Sequence, residues 1–174
     1  MKNKKGYILL ETIVSISIIL ILALSLYSIL LICKDYKQAI EDKIELYEQG
    51  QEMSMQINRL IENSKGILSV KSIDNKTITG NISSFVKIKS LKCKYRDEDN
   101  LTVKDRELSY KSNKKLFINT LNNNGSSEAG GYEIGDYVDY VSVRINDNKI
   151  TILLSLVKNK EEYQTEIHSY IRKF

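Results

Sequence analysis

The segment IVSISIILILALSLYSILLI, residues 13–32, is a run of twenty residues without a charged side chain. As an α-helix rising 1.5 Å per residue it would be about 30 Å long, which is the thickness of the hydrocarbon core of a bilayer. Its β-branched residues form helices weakly in water, but in lipid each backbone polar group must be satisfied within the segment, and this enforces the helix. The segment therefore predicts one membrane-spanning helix.

The charges before this segment indicate its orientation. Lys2, Lys4 and Lys5 precede it, so we expect a cytoplasmic N-terminus and an extracytoplasmic position for everything after Cys33. The apolar run is longer than that of a secretory signal, about 7 to 15 residues, and no Ala-x-Ala cleavage site follows it. Ile32, directly before Cys33, does not fit a lipoprotein signal. A plain single-pass anchor remains open.

A single acidic residue, Glu11, interrupts the apolar sequence near its start. Apolar residues 7–10 precede it, and residues 12–14 continue the apolar segment. A carboxylate inside a membrane costs several kcal/mol unless it is paired, which makes Glu11 a candidate functional residue. The alternative is that Glu11 lies close enough to the interface to reach water. A simple anchor does not require an acid at this position.

The run KKGYILLE, residues 4–11, resembles the leader junction of type IV prepilins, pseudopilins and competence pilins. The resemblance implies that an aspartyl prepilin peptidase cuts after Gly6 and methylates the new N-terminus, Tyr7, where phenylalanine is commoner in the family. Glu11 would be the fifth residue of the mature chain. In the family, this carboxylate pairs with the N-terminal amine of a neighbouring subunit and sets the axial register of the filament.

Residues 34–64 are predicted to continue the helix as an amphipathic segment. The apolar residues that we expect to face the head domain are Ile40, Ile44, Tyr47, Ile57, Leu60 and Ile61. Gly50 interrupts the pattern at a cost close to 1 kcal/mol. It permits a bend, permits close packing, or is merely tolerated.

The rest of the chain predicts an antiparallel sheet. Seven strands are expected, at residues 67–73, 83–96, 106–110, 116–120, 137–145, 150–157 and 163–172. Residues 146–149 and 158–162 have the composition and length of hairpin connections. Alternation of apolar residues slips along the second strand, which predicts a bulge near Ser90. The predicted fold class is α+β, a long N-terminal helix packed on an antiparallel head, as in pilins.

The predicted organisation has four parts: a leader at 1–6, a membrane or filament-core helix at 7–33, its amphipathic continuation at 34–64 and a β-rich head at 65–174. The fragments Leu108-Ser109-Tyr110 and Leu116-Phe117 resemble strands of larger minor pilins and pseudopilins. This second resemblance favours a minor subunit.

A basic stripe follows the second predicted strand. It consists of Lys87, Lys89, Lys92, Lys94 and Arg96. It could contact DNA or an anionic wall polymer, but a solvated strand face whose lysines discourage edge pairing is the favoured interpretation. Removal of the leader lysines leaves 23 basic against 22 acidic residues, which gives no support to general polyanion binding.

The remaining features predict neither catalysis nor a cofactor. The acidic run at 97–100 lacks the spacing of a calcium loop and is interpreted as a charged turn. His168 has no partner at ligand spacing, so no metal is expected, and the two cysteines are interpreted as free or buried thiols. Residues 122–131 are expected to form a mobile surface loop, either a partner-contacting segment or a tolerated insertion.

These observations predict a non-enzymatic subunit of an extracellular pilus or pseudopilus, acting in initiation or tip assembly. The expected partners are other pilin subunits, through the N-terminal helix, together with prepilin peptidase and the cytoplasmic membrane. The chain would be a single-pass membrane protein before assembly and part of the filament afterwards. The alternative is a membrane-anchored extracellular module that binds DNA or an anionic surface polymer.

Overall fold

The computed structural model describes the backbone of residues 4–96 and 103–171 and the side chains from Tyr7 onward. One helix, α1, extends from Lys4 to Glu62. The chain divides into two compact units, Met1–Glu41 and Asp42–Phe174. The predicted acidic turn at 97–100 lies outside the described residues.

In the first unit the described chain is helical and its apolar side chains are exposed. The serine and threonine residues of this unit donate hydrogen bonds of 2.8–3.0 Å to carbonyl oxygens three or four residues earlier. These residues are Thr12, Ser15, Ser17, Ser25 and Ser28. Each hydroxyl thus finds its acceptor within the helix, as a polar group in lipid must.

The second unit combines the C-terminal part of α1 with a curled antiparallel sheet. The strands are β1 (Gly66–Ser72), β2 (Thr77–Ile78), β3 (Ile82–Lys94), β4 (Arg106–Lys111), β5 (Lys115–Thr120), β6 (Tyr132–Gly135), β7 (Val138–Asn146), β8 (Lys149–Lys158) and β9 (Glu161–Tyr170). The main order is β6-β5-β4-β3-β7-β8-β9, and β1 joins β3 to β2. The long strand β3 joins the two halves of the sheet, since it pairs with β1, β4 and β7. The α+β prediction is confirmed.

Each predicted strand is present, with ends within two residues of those expected where the structure describes them. The short strands β2 and β6 were not predicted. The bulge near Ser90 is confirmed: Lys71 pairs with Ser90 but Ser72 pairs with Ile88, which leaves Lys89 as the extra residue. Both expected hairpins form through tight turns, with Asp147 and Asn159 at positive φ of 51° and 54°.

The helical segment of the second unit buries one face against the sheet. Its core residues are Leu46, Met53, Ile57, Leu60 and Ile61. The prediction for Ile57, Leu60 and Ile61 is confirmed.

The prediction for Ile40 and Ile44 is wrong, because both are more than half exposed. Tyr47 is also more than half exposed, but its ring packs edge-on against Tyr163 of β9, with ring centroids 5.5 Å apart, so it contacts the sheet at the border of the buried face. In this part of the helix the buried face includes Asp42 and Gly50, neither of which has an apolar side chain. The spacing of apolar residues therefore indicated a neighbouring face of the helix.

Gly50 allows the helix to approach the sheet closely. A Cβ atom at this position would lie 2.8 Å from Cδ1 of Tyr163 and closer still to Cε1 of the same ring. Real Cβ contacts are longer than this, so the glycine makes room for the tyrosine. Of the three explanations offered by the sequence, close packing is the one that the structure supports.

Candidate functional site

The residues of the predicted processing and register site lie on the N-terminal turns of α1. Gly6 is within the helix, and Tyr7 and Glu11, four residues apart, share one helix face. The side chain of Glu11 is exposed, and among the described residues its carboxylate makes no hydrogen bond or ion pair. Ser15 donates to the backbone carbonyl of Glu11 and leaves the carboxylate unengaged. Within the part of the chain that the structure describes, this acid is thus unpaired on a largely apolar helix surface.

By length and composition, one helix within the described chain is suited to cross a membrane. The most apolar 18-residue window of this helix has a mean hydropathy of 2.8 and none of it is buried in the protein. Such a surface is stable only against lipid or against other apolar surfaces. The helix is therefore consistent with a membrane anchor.

The basic stripe lies along β3, and the bulge keeps it on one face of the sheet. Lys87 and Lys92 are five residues apart, which in a regular strand would place them on opposite faces. The extra residue, Lys89, restores the alternation, so Ile88 and Leu91 both point into the core while Lys87 and Lys92 point away from it.

Three of the five basic residues of the stripe are engaged with the protein itself. The Lys87 ammonium lies 4.2 Å from the centre of the Tyr140 ring. Lys92 donates to the carbonyl of Gly125 at 2.7 Å, and Arg96 donates to Oδ1 of Asn123 at 2.9 Å. Lys89 and Lys94 are exposed. The stripe is thus not a continuous row of free cations, because much of it fixes the loop that follows β5.

A cleft of ≈ 350 Å³ opens on this same face, between β1, β3, β4, β5 and the 121–131 loop. We call it the outer cleft. Its basic residues are Lys71, Lys89 and Lys111, and the buried residues Ser90 and Asn119 lie at its base. Sequence reasoning missed it because its residues come from four strands and a loop, and no local pattern joins them.

A second cluster that the sequence did not reveal holds α1 to the β8–β9 turn. Nζ of Lys158 lies 2.9 Å from Oδ1 of Asp42 and 2.5 Å from Oε2 of Glu45, and Asn159 donates to Oδ2 of Asp42 at 2.6 Å. The hydrogen bonds from Asn159 and Lys158 hold the pKa of Asp42 below its usual value. The hydrogen bond from Lys158 likewise lowers the pKa of Glu45. The cluster allows a carboxylate to lie in the buried face of the helix.

Both cysteines are free, Cys33 exposed and Cys93 buried. Burial raises the pKa of the Cys93 thiol to about 12, with a smaller contribution from Asp105. Over residues 7–96 and 103–171, no group of three His, Cys, Asp or Glu side chains could hold a metal ion.

Comparison with protein-family models gave no match, and comparison with curated proteins and with solved structures found no similar protein. The architecture is an apolar N-terminal helix whose later part packs on an antiparallel sheet. This architecture is compatible with a pilin-like fold.

Proposed function

We propose that this chain is a type IV pilin-like filament subunit, of the minor pilin or pseudopilin kind. A prepilin peptidase would cut it after Gly6 and methylate Tyr7, and the mature helix would leave the membrane to join the core of an extracellular filament. The observation that carries the proposal is the carboxylate of Glu11, which has no hydrogen-bond or ion-pair partner among the described residues and lies on a largely apolar, exposed helix surface.

A carboxylate on this helix needs a cationic partner if the helix lies in lipid. In lipid an isolated carboxylate is unfavourable by several kcal/mol, and a cation in the same low-dielectric surroundings removes much of this cost. Cleavage after Gly6 creates a cation of this kind, the α-amine of Tyr7. A pairing between the amine of one subunit and Glu11 of the next would satisfy both groups and fix the axial offset between neighbouring helices.

The second unit adds an observation that supports assembly through the helix. Its helical segment buries one face against the sheet, while Ile44 and Met55 leave apolar surface exposed on the other side. These exposures are 53% and 55%. Apolar side chains on a helix that has already packed its core face are available to neighbouring subunits.

The first test is the N-terminus of the protein purified from its native cell. We expect mass spectrometry to find a mature chain that begins at methylated Tyr7, and to find the unprocessed chain when the prepilin peptidase is deleted. An intact Met1 terminus in the presence of the peptidase would rule out the proposal.

The second test separates processing from assembly. In cells, Glu11→Ala should be inserted and cleaved normally but be lost from sheared filaments, since the α-amine would have no partner. Glu48→Ala is the matched control, because it removes an exposed carboxylate of the same helix within the second unit. Normal incorporation of Glu11→Ala would contradict the role of the carboxylate.

The alternative, a membrane-anchored binding module, is favoured by the outer cleft and by the exposed lysines of β3. In that case the chain would keep its leader and remain in the membrane fraction. The N-terminal analysis therefore distinguishes the two functions directly.

A further inference from the structure

The outer cleft is bordered by three lysines, none of which forms an ion pair with a described residue. Lys71 and Lys89 are exposed and form no ion pair with any described residue. The Lys111 ammonium lies 4.0 Å from the centre of the Phe117 ring, a contact that leaves N–H donors free. Three ammonium groups from β1, β3 and β4 therefore border one cleft of ≈ 350 Å³. We therefore expect a ligand of this cleft to carry a negatively charged group.

The two acidic residues of the cleft are already engaged. Glu128 forms an ion pair with Lys104, whose Nζ lies 2.6 and 2.8 Å from the two carboxylate oxygens. Glu107 is buried and accepts a hydrogen bond from the hydroxyl of Ser127. These carboxylates would still oppose a ligand with dense negative charge, because like charges placed together are unfavourable. A ligand with one acidic group and otherwise neutral groups therefore fits the cleft better than a nucleic-acid backbone does.

The base of the cleft is rich in neutral hydrogen-bonding groups. Asn119 donates from Nδ2 to Oγ of Ser109 at 2.8 Å, which fixes both side chains. Ser90 adds a second hydroxyl beside them, and it pairs across β3 and β4 with Ser109. Hydroxyl and amide groups held in place in this way recognise a ligand that itself carries several hydroxyl groups.

We propose that the outer cleft binds an acidic saccharide, meaning a sugar unit that carries one carboxylate or phosphate group. The lysines attract the acidic group. The serine and asparagine side chains form hydrogen bonds with the sugar hydroxyls, and the carboxylates of Glu107 and Glu128 accept further hydrogen bonds from these hydroxyls. A volume of ≈ 350 Å³ lies in the range of small-ligand sites, about 300–1,000 Å³. The proposal does not depend on filament assembly, since the cleft lies wholly within the second unit.

The test is a titration of the full-length chain, in a detergent with neither a sugar nor a phosphate head group, followed by amide NMR shifts. The acidic probes are galacturonate and glucose 6-phosphate. The controls are methyl galactoside, which lacks the charge, and inorganic phosphate, which lacks the sugar. We expect saturable shifts at cleft residues for both acidic probes, with dissociation constants of about 1 mM or tighter, and binding about tenfold weaker or worse for each control.

Variants then locate the site. Lys71→Gln combined with Lys89→Gln should weaken binding of both acidic sugars by about tenfold or more, because two of the three cations are lost. Lys94→Gln is the matched control, an exposed lysine on the same strand as Lys89 that does not line the cleft, and it should bind as the parent does. Unchanged amide spectra away from the cleft would show that the variants remain folded.

A further arm identifies the source of the sugar. Trigalacturonate should bind more tightly than galacturonate if the ligand is a unit of a surface polymer, and equally well if it is a free sugar acid. The proposal is overturned by an absence of saturable binding up to about 10 mM. It is also overturned if phosphate alone binds as tightly as the sugar phosphate, or if the double variant keeps its affinity.

Discussion

Substitution of Gly50 by alanine sets two effects of known sign against each other. Alanine in the interior of a helix is favoured over glycine by close to 1 kcal/mol. The new Cβ, however, would lie 2.8 Å from Cδ1 of Tyr163, and overpacking of this kind costs about 1–3 kcal/mol. We therefore expect Gly50→Ala to lower the free energy of unfolding of the second unit by about 0–2 kcal/mol.

The same substitution should have the opposite sign once the ring is removed. In a Tyr163→Ala background the nearest remaining side-chain atom is Cδ1 of Leu156, 3.3 Å from the position of the new Cβ. That contact is tight but tolerable, so the helix propensity of alanine should dominate. Gly50→Ala should then raise the free energy of unfolding by up to about 1 kcal/mol.

The measurement is urea unfolding of the detergent-solubilised chain, followed by the near-ultraviolet circular dichroism of its tyrosines. Four proteins form the double-mutant cycle, and Glu48→Ala, at an exposed helix position, serves as a control that should change stability by less than about 0.5 kcal/mol. Equal stabilisation by Gly50→Ala in both backgrounds would refute the close approach of helix and sheet.

Three further predictions concern the second unit. The pKa of Asp42 lies below its usual 3.8 because Asn159 and Lys158 bind the carboxylate, so the stability it contributes is present above pH 3.8 and is lost as the pH falls through the folded-state pKa. In acid titrations of the thermal midpoint, Asp42→Asn should consequently lose less stability than the parent; an equal loss would contradict this. The raised pKa of Cys93 predicts that iodoacetamide modifies it at pH 8 only after urea is added, and a rate in the native protein equal to that in urea would show that the thiol is accessible. Leu91→Ala should cost about 2–5 kcal/mol in urea unfolding, because this side chain is fully buried where β1, β3 and β4 meet. A loss below 1 kcal/mol would mean that the core can collapse around it.

The parts of the fold that could be predicted are those with a long, regular pattern. The apolar run and the alternation in the longer strands identified each of these elements. The bulge could be located because apolar residues change parity between Ile88 and Leu91. The two-residue strand at Thr77–Ile78 and the four-residue strand at Tyr132–Gly135 carry too few residues to show any period.

The N-terminal part of the buried helix face was predicted wrongly for a different reason. Ile40 and Ile44 continue the apolar spacing, whereas the buried face holds Asp42 and Gly50 among its apolar residues. The sheet packs on this second face because Gly50 leaves room for the Tyr163 ring and because Asp42 accepts hydrogen bonds from the β8–β9 turn. Both causes are contacts with residues more than a hundred positions away, which no local pattern records.

Of the candidate sites, the processing junction was visible because its residues lie within one short stretch of the sequence. Gly6, Tyr7 and Glu11 retain the roles predicted for them as hypotheses, since the structure supplies their helix but not their partners. The basic stripe was visible for the same reason, yet the use of Lys92 and Arg96 to hold the 121–131 loop depends on where that loop folds back.

The hydroxyl groups of the apolar segment have a consequence for how easily the helix changes its surroundings. Each serine and threonine hydroxyl from Thr12 to Ser28 takes its acceptor from its own helix, so none of these bonds would break if lipid were exchanged for protein. Moving these groups from a bilayer into contact with another protein, or back, would therefore cost almost no hydrogen-bonding energy. Glu11 differs, because its carboxylate has no hydrogen-bond or ion-pair partner among the described residues. Under the proposed function it would be paired only where a neighbouring subunit supplies a cation, so this side chain would limit the positions that the helix can adopt.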